Sequence, residues 1–301
     1  MKQPAAIHIV VDYALITPIR DDERNLRRLA ECVLSQTVLP TAWAIVDNGS
    51  TDGTNAVAAE LAATRSWITL VSVSGETVPM RGGAVVRAFN AGLRSLQRRA
   101  DFIVKLDADV SFEPDHFELL LARFSADRRL GIAGSLCLEE VAGVWRPRYS
   151  TRSHVRGAVR AYRRECLEEV LPLEERMGWD GIDEIRAAVR GWRTATISDI
   201  TFRHHRPLGE REPATGRWAR QGEMAHYMGY RPSYLVLRAL YRSLREPAAL
   251  AMIWGYAHGL VRRQRRYGDL EVRAWLRYEQ SLRRLPRRAR EALGRSARFS
   301  P

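Results

Sequence analysis

Asp107 and Asp109, separated by one alanine, close an apolar run that begins at Phe102. In open α/β sheets ligands bind beyond the carboxyl ends of strands, so two carboxylates placed there can reach a hard divalent cation and a ribose together. Such a cation would bridge to a diphosphate and neutralise it as it departs. Asp-x-Asp is also an ordinary sequence for a solvated turn, and that plainer reading stands beside the chemical one. A second apolar run, Ala44 to Val46, leads into Asp47-Asn48-Gly49-Ser50-Thr51-Asp52-Gly53. Asp47 falls where a strand's end would let it accept a hydrogen bond from a base edge. Asp52 suits a cap on the helix that follows.

The elements that must position these acids can be read from periodicity. The sequence predicts a strand over Ala14–Thr17 stopped by Pro18, and a helix over 25–36 with Leu26, Leu29, Ala30, Val33 and Leu34 on one stripe. A strand over 42–46, a helix from Asp52-Gly53 to about residue 63 and a strand over 68–73 follow. Next come a helix over 84–96 and the strand 102–106 that ends at the paired aspartates. Further along, strands are expected at 130–138, 157–163 and 194–202, with helices at 166–171 and 181–190. Alternating strands and helices imply an α/β fold with a mostly parallel sheet and helices on both faces. Near residue 210 the texture changes to helices alone, which divides the chain into a catalytic domain, 1–210, and an Arg-rich helical extension, 211–301.

The segment Thr17-Pro18-Ile19-Arg20-Asp21-Asp22-Glu23, the one around Asp47 and the one around Asp107 and Asp109 come in an order that resembles family 2 glycosyltransferases of the GT-A fold. The resemblance spans roughly residues 14 to 206. It implies that Pro18, Arg20, Asp22 and Asp47 bind the base and ribose of a nucleotide-sugar donor, with Asp107 also on the nucleotide side. Met80 to Gly92 looks like the family's glycine-led helix start, whose amides and arginine face the diphosphate. That assigns Gly83, Arg87 and Asn90 to the nucleotide, although the usual Ala-Arg-Asn reads Arg87-Ala88-Phe89-Asn90 here. Gly178 to Arg186, with Gly191-Trp192-Arg193 after it, resembles the family's acceptor-site motif. Counting back from Gly191, Asp180 is in register with the catalytic aspartate, which removes the acceptor hydroxyl's proton as its oxygen attacks the anomeric carbon. Asp180 and Asp183, three apart at a helix start, also make a capping arrangement; Asp183 or Glu184 would then be the base. Finally, Phe202 to Pro207 brings His204 and His205 to a strand's end, where family members often carry a histidine on the metal or diphosphate. Asp107, Asp109 and His204, preferred over His205, suit Mn2+ or Mg2+, manganese more readily because it tolerates nitrogen. The resemblance points to hexose transfer from a UDP-linked donor in bacterial polysaccharide or cell-wall assembly, with a polyprenyl-phosphate glycosyltransferase, which needs no base, as the alternative.

The composition, 46% hydrophobic and 28% charged, is that of an ordinary globular chain. The start lacks the apolar core of a secretory signal, and no stretch approaches the ~20 apolar residues that span a bilayer. Three cysteines, Cys32, Cys137 and Cys166, are spaced for neither zinc nor a disulfide framework, which fits a reducing cytoplasm. The net charge of +13 is uneven: residues 260–301 hold thirteen arginines against four acids. That asymmetry asks for an anionic partner. Leu237, Leu240, Tyr241 and Leu244 recur at helical spacing among Arg238, Arg242 and Arg245, and Ala248 to Val261 is more apolar still. The pattern suits either a helical subdomain packed on the core or, preferred here, an interfacial helix pair on an anionic membrane, with Trp254, Tyr256, Trp275 and Tyr278 at the boundary. A peripheral position on the inner face of the cell membrane would match a saccharide acceptor carried on a lipid. Nothing resembles a module that reads RNA or DNA, so nucleic acid is not expected as a partner.

Overall fold

The computed structural model describes residues 12–73, 82–148, 154–206 and 213–284. The chain divides into two compact units, residues 1–206 and 207–301.

The first unit opens with β1 (Tyr13–Ile19), α1 (Glu23–Leu34), β2 (Ala42–Asp47), α2 (Thr54–Thr64), β3 (Ile68–Ser72), α3 (Gly83–Ser95) and β4 (Phe102–Leu106). All four strands are parallel, with β1 between β2 and β4, and β3 outside β2. A parallel strand covered on both faces must be apolar on both, and successive residues of these strands do serve two different cores. Tyr13, Leu15, Trp43, Ile45, Phe102 and Val104 pack with the buried stripes of α1 and α2, whereas Ala14, Ile16, Ala44, Val46 and Ile103 pack with α3. The continuous apolar runs of the sequence follow from that double burial.

β5 (Val110–Phe112), α4 (His116–Ala126), β6 (Leu130–Val141), β7 (Val144–Pro147), β8 (Val159–Arg163), α5 (Arg164–Val170), α6 (Trp179–Val189) and β9 (Arg193–His204) complete the unit. The sheet order is β3-β2-β1-β4-β8-β6-β9-β5, with β7 paired to β6. It is mixed, because β8 runs antiparallel to β4 and β6 while β9 is parallel to β6 and antiparallel to β5. The fold is thus α/β with helices on both faces.

Four features differ from the sequence expectation, the first being β7, where no strand was expected. β1 does not stop at Pro18 but runs through it to Ile19. Its pairing with β4 ends at Ile16, so Pro18 lies where β1 has a ladder on the β2 side alone, and a strand tolerates a missing N–H at such an edge. α4 was not anticipated, although Phe117, Leu120, Leu121 and Phe124 form a buried stripe at helical spacing. β5, only three residues long, exists because β9 returns beside it and pairs His204 with Val110.

The second unit consists of α7 (Ala214–Tyr227), α8 (Pro232–Ser243), α9 (Ala251–Val261) and α10 (Leu270–Glu279). Its core gathers Trp218, Ala225, Leu235, Ala239, Ala249, Met252 and Tyr256. α7 and α9 approach so closely that their facing positions admit only hydrogen. A Cβ at Gly222 would meet the Met252 carbonyl oxygen at 2.0 Å, and one at Gly255 the Ala219 carbonyl oxygen at 1.9 Å. No helix among the described residues is long and apolar enough to cross a membrane. We expect Gly255→Ala to destabilise this unit by about 1–3 kcal/mol through overpacking against the α7 backbone, read as a lower urea midpoint for loss of helical circular dichroism.

Candidate active site

The carboxyl ends of β1, β2 and β4 stand side by side, and the loops that leave them form one rim. Two of these loops are clasped together. Asp21, at φ 48°, donates its N–H to Ser50 Oγ at 3.0 Å and accepts the Thr51 N–H at 2.6 Å, while Asp22 N–H reaches Thr54 Oγ1 at 2.8 Å. The Thr51 amide holds the Asp21 carboxyl below the usual carboxylate range. Asp52 accepts the first-turn amides of both helices, Thr54 at 3.0 Å and Glu23 at 3.3 Å, which is the cap-like role expected of it. Asp47 ends β2 and is buried; Oδ1 accepts Ser50 N–H and Oγ–H, and Oδ2 accepts from Asn55. Pro18 is buried in β1, opposite Val46, and Arg20 lies just beyond the strand with its guanidinium 3.4 Å from Asp21.

β4 delivers the paired aspartates to the same rim. Asp107 is ion-paired with buried Lys105, whose ammonium also donates to the Gly157 carbonyl at 2.7 Å. Burial raises the Asp107 carboxyl, and the neighbouring Asp109 adds to the effect while Lys105 opposes it. Asp109 is buried one step further in. Against the cost of that burial, His204 and Arg206 hold its carboxyl below the usual range. His204 Nε2 lies 3.3 Å from Asp109 Oδ1, and Arg206 Nε lies 3.7 Å from Oδ2. Arg206 also grips Asp22 at 2.7 Å, so the first loop is tied to the Asp-Ala-Asp segment by one guanidinium. His205 turns the other way, with Nε2 at 2.7 Å from Ser111 Oγ and its ring against Trp145. Burial keeps that imidazole neutral, its pKa lowered to about 4.

The donor set fits a hard divalent cation. Asp109 Oδ1 is buried without a hydrogen-bond partner, and so is His204 Nδ1. Adjacent ligands about 2.1 Å from an octahedral ion lie about 3 Å from each other, close to the 3.3 Å between Asp109 Oδ1 and His204 Nε2. Cys137 and Glu139 on β6 face the same histidine, the three ligand atoms lying within 4.8 Å of one another. Neither was singled out from the sequence, since their approach depends on the β6–β9 register that pairs Glu139 with His204. Arg148 and Arg156, at 3.3 and 3.2 Å, already neutralise Glu139.

On the other side of β2, a cavity of about 320 Å³ is lined by Asn48, Val73, Arg87, Asn90, Arg94 and Glu175. Arg87 and Asn90, anticipated from the sequence, thus share one wall, and Arg87 is ion-paired with Glu175 at 3.0 Å. Asn48, Arg94 and Glu175 were not anticipated. Gly83 sits at the start of α3, where a Cβ would come within 2.5 Å of the Glu175 carbonyl oxygen, so its lack of a side chain admits that loop. Met80 and Arg81 lie outside the described residues.

α6 carries the acids expected near the acceptor. Its N-cap is Gly178, in the left-handed region at φ 79°, and no side chain caps the helix, so Asp180 and Asp183 do not form the capping pair. Asp183 points inward. Arg160, wholly buried on β8, holds it with Nη2 at 2.5 Å and Nε at 3.2 Å, and Tyr162 donates to it at 2.5 Å. Glu184 accepts from Arg160 at 3.2 Å and from the Val155 N–H at 2.6 Å. A base must face its substrate, and a carboxylate wholly engaged in the interior does not, which sets Asp183 apart as the counter-ion of Arg160. Asp180 is partly exposed, and Arg160 bonds its backbone carbonyl, at 2.8 Å, instead of its side chain. Its Oδ2 would lie 3.8 Å from a Cβ at Gly157, the residue whose carbonyl receives the Lys105 ammonium, so Asp180 and Asp107 flank one short segment.

The family model for glycosyl transferase family 2 matches residues 14–171. No curated protein matches the sequence at a significant level. Among solved structures, the chain is similar to the mannosyltransferase PcManGT from Pyrobaculum calidifontis in complex with GDP-Man and Mn2+, at 16% identity and a TM-score of 0.57 over 93% of this chain and 84% of that one. It is also similar to S. aureus TarS 1–349 in complex with UDP-GlcNAc, at 14% identity and a TM-score of 0.55 over 72% and 66% of the two chains. A third likeness is to GalNAc-T7 with UDP, GalNAc and Mn2+, at 12% identity and a TM-score of 0.53, covering 66% of this chain and 44% of that one. At such identities the likeness is one of fold.

Removing one partner of a buried ion pair leaves the other uncompensated, at a cost of about 3–5 kcal/mol. Arg160→Ala is therefore expected to lower the unfolding free energy of the first unit by that amount, measured by chemical denaturation followed through tryptophan fluorescence.

Proposed function

We infer that this chain, which belongs to glycosyl transferase family 2, moves a hexose with inversion from a UDP-linked donor to a hydroxyl of a lipid-linked or polysaccharide acceptor at an anionic membrane surface. The observation that carries the reading is the buried Asp109 carboxylate beyond the end of β4 beside Asp107, with Oδ1 3.3 Å from His204 Nε2 and in no hydrogen bond. The ligands of the structural neighbours, GDP-Man with Mn2+ and UDP-GlcNAc among them, support a nucleotide-sugar donor.

Asp109 and His204 would hold Mn2+ or Mg2+, with Asp107 at the same rim. A bound cation supplies charge to stabilise the diphosphate as it leaves. The rest falls to the chain. The clasped loops present Pro18, Arg20, Asp22 and Asp47 to the base and ribose, and Gly83, Arg87 and Asn90 mark the neighbouring wall. Asp22 is held in place by Arg206. Asp180 receives the proton of the acceptor hydroxyl while that oxygen attacks the anomeric carbon from the side opposite the nucleotide, as inversion requires. Arg160 fixes the turn that carries it, and Asp183 holds Arg160. His205, engaged with Ser111, is left out of the cation set.

Losing a positioned general base costs about 10²–10⁴-fold in rate. Asp180→Ala is accordingly expected to reduce kcat for sugar transfer by that factor without changing the Kd for UDP. If it stays near wild-type turnover with a polyprenyl phosphate as acceptor, the base-free alternative replaces this reading. Independently, UDP with Mn2+ should raise the Tm of the wild-type protein, since a ligand at about 100 times its Kd stabilises by about 2.7 kcal/mol. Asp109→Asn and His204→Ala should remove the manganese-dependent part of that shift. A Tm that moves with single-stranded nucleic acid but not with any nucleotide sugar and Mn2+ would overturn the enzyme reading.

A further inference from the structure

The second unit turns apolar surface outward along two helices. On α8, Val236, Leu237, Leu240 and Tyr241, with Leu244 just beyond the helix, repeat at spacings of three and four and are all exposed, Leu244 at 83%. The buried positions of the same helix are Leu235 and Ala239. α9 is apolar apart from His258, which pairs with Glu223 at 3.5 Å. Met252, Gly255, Tyr256 and Gly259 face inward, while Trp254, Leu260 and Val261, with Leu250 just before the helix, are exposed, Trp254 at 64% and Val261 at 80%. Immediately after α9 the chain reads Arg262-Arg263-Gln264-Arg265-Arg266, exposed at all but the last. Tyr256, expected at a boundary, is instead buried and donates to the Tyr230 carbonyl at 3.0 Å.

We propose that the exposed stripes of α8 and α9 are a monotopic insertion face, entering the headgroup and upper acyl zone of an anionic bilayer with the arginines after α9 on lipid phosphates. The inference deepens the membrane part of the proposed function and does not depend on the chemistry at Asp109 or Asp180. Leucine, valine and tryptophan side chains in unbroken stripes would be costly to leave in water, and a basic cluster at the end of one stripe selects an anionic cover. Each chain carries a net charge of +13, which opposes association with a second copy. Insertion also separates this mode from simple electrostatic attachment. Charge attraction fades as the screening length falls from about 8 Å at 0.15 M salt to about 3 Å at 1 M, whereas buried apolar area keeps its contribution.

Cosedimentation with vesicles of phosphatidylglycerol and phosphatidylcholine, against phosphatidylcholine alone, tests the assignment. The full chain should bind the anionic vesicles, and a measurable fraction should remain bound at high salt. Leu240→Asp with Leu244→Asp should weaken vesicle binding by about tenfold or more, since burying one such side chain is worth that much. Replacing Arg262, Arg263, Arg265 and Arg266 by alanine should abolish the preference for anionic vesicles but leave the salt-resistant fraction. Equal vesicle binding by the leucine variant and the wild type overturns the proposal. So does a wild-type dimer that ignores vesicles and becomes monomeric in the leucine variant, which would assign the face to a second copy. Turnover of a soluble acceptor by the leucine variant is expected to be unchanged, so a failure of docking and a failure of the sugar-transfer reading remain distinguishable.

Discussion

A wholly buried arginine organises the α6 side of the first unit. Arg160 projects from β8 into the interior, where a lone guanidinium would be prohibitive, and it is neutralised and bonded by Asp183, Tyr162 and Glu184 together with the carbonyls of Val155 and Asp180. Asp180, Asp183 and Glu184 come from the start of α6, Tyr162 from β8 itself and Val155 from the segment before it, and the low dielectric makes their arrangement close to obligatory. α6 is thereby pinned to the sheet by its first turn, and Asp180 is left at the surface of that turn. Such a pair adds less to stability than its contacts suggest, because desolvation consumes most of the attraction. What it secures is position.

At the carboxyl ends of the parallel strands a similar economy of position holds. Because β1, β2 and β4 are neighbours, their carboxyl ends deliver three loops to one edge about 10 Å wide at the usual strand spacing. Those loops are then locked to each other by Asp21, Asp52 and Arg206. The outcome is a rim crowded with carboxylates, partly neutralised by Lys105, His204 and Arg206, in which one oxygen of Asp109 is buried and unbonded. Buried carboxylate oxygens are normally hydrogen-bonded; this one meets His204 Nε2 at 3.3 Å without forming a hydrogen bond, and a cation shared with that imidazole would complete it.

The second unit follows a different logic. α7 and α9 meet through glycines whose facing atoms are backbone carbonyls, so the pair is held by close approach instead of large interlocking side chains. Trp218, Met252 and Tyr256 fill the core beside that contact, and α8 and α9 display further large apolar side chains on the outside.

The sequence by itself determined the class of fold and the strand-to-loop positions of Asp47 and Asp107, because a strand buried on both faces must be a continuous apolar run, and such a run ends visibly where polar residues begin. It also marked the stripe of α1 and the change of texture after β9. Periodicity makes α4 equally legible, through Phe117, Leu120, Leu121 and Phe124. Pairings between distant segments are another matter. That Asp183 belongs to Arg160, that Glu175 meets Arg87 across 88 residues, that His204 faces Asp109 while His205 faces Ser111, and that Cys137 and Glu139 stand beside the same histidine were decided only by tertiary structure. Local spacing constrains which face of an element a side chain occupies; strand order and register, set by the packing of the whole sheet, select what stands opposite.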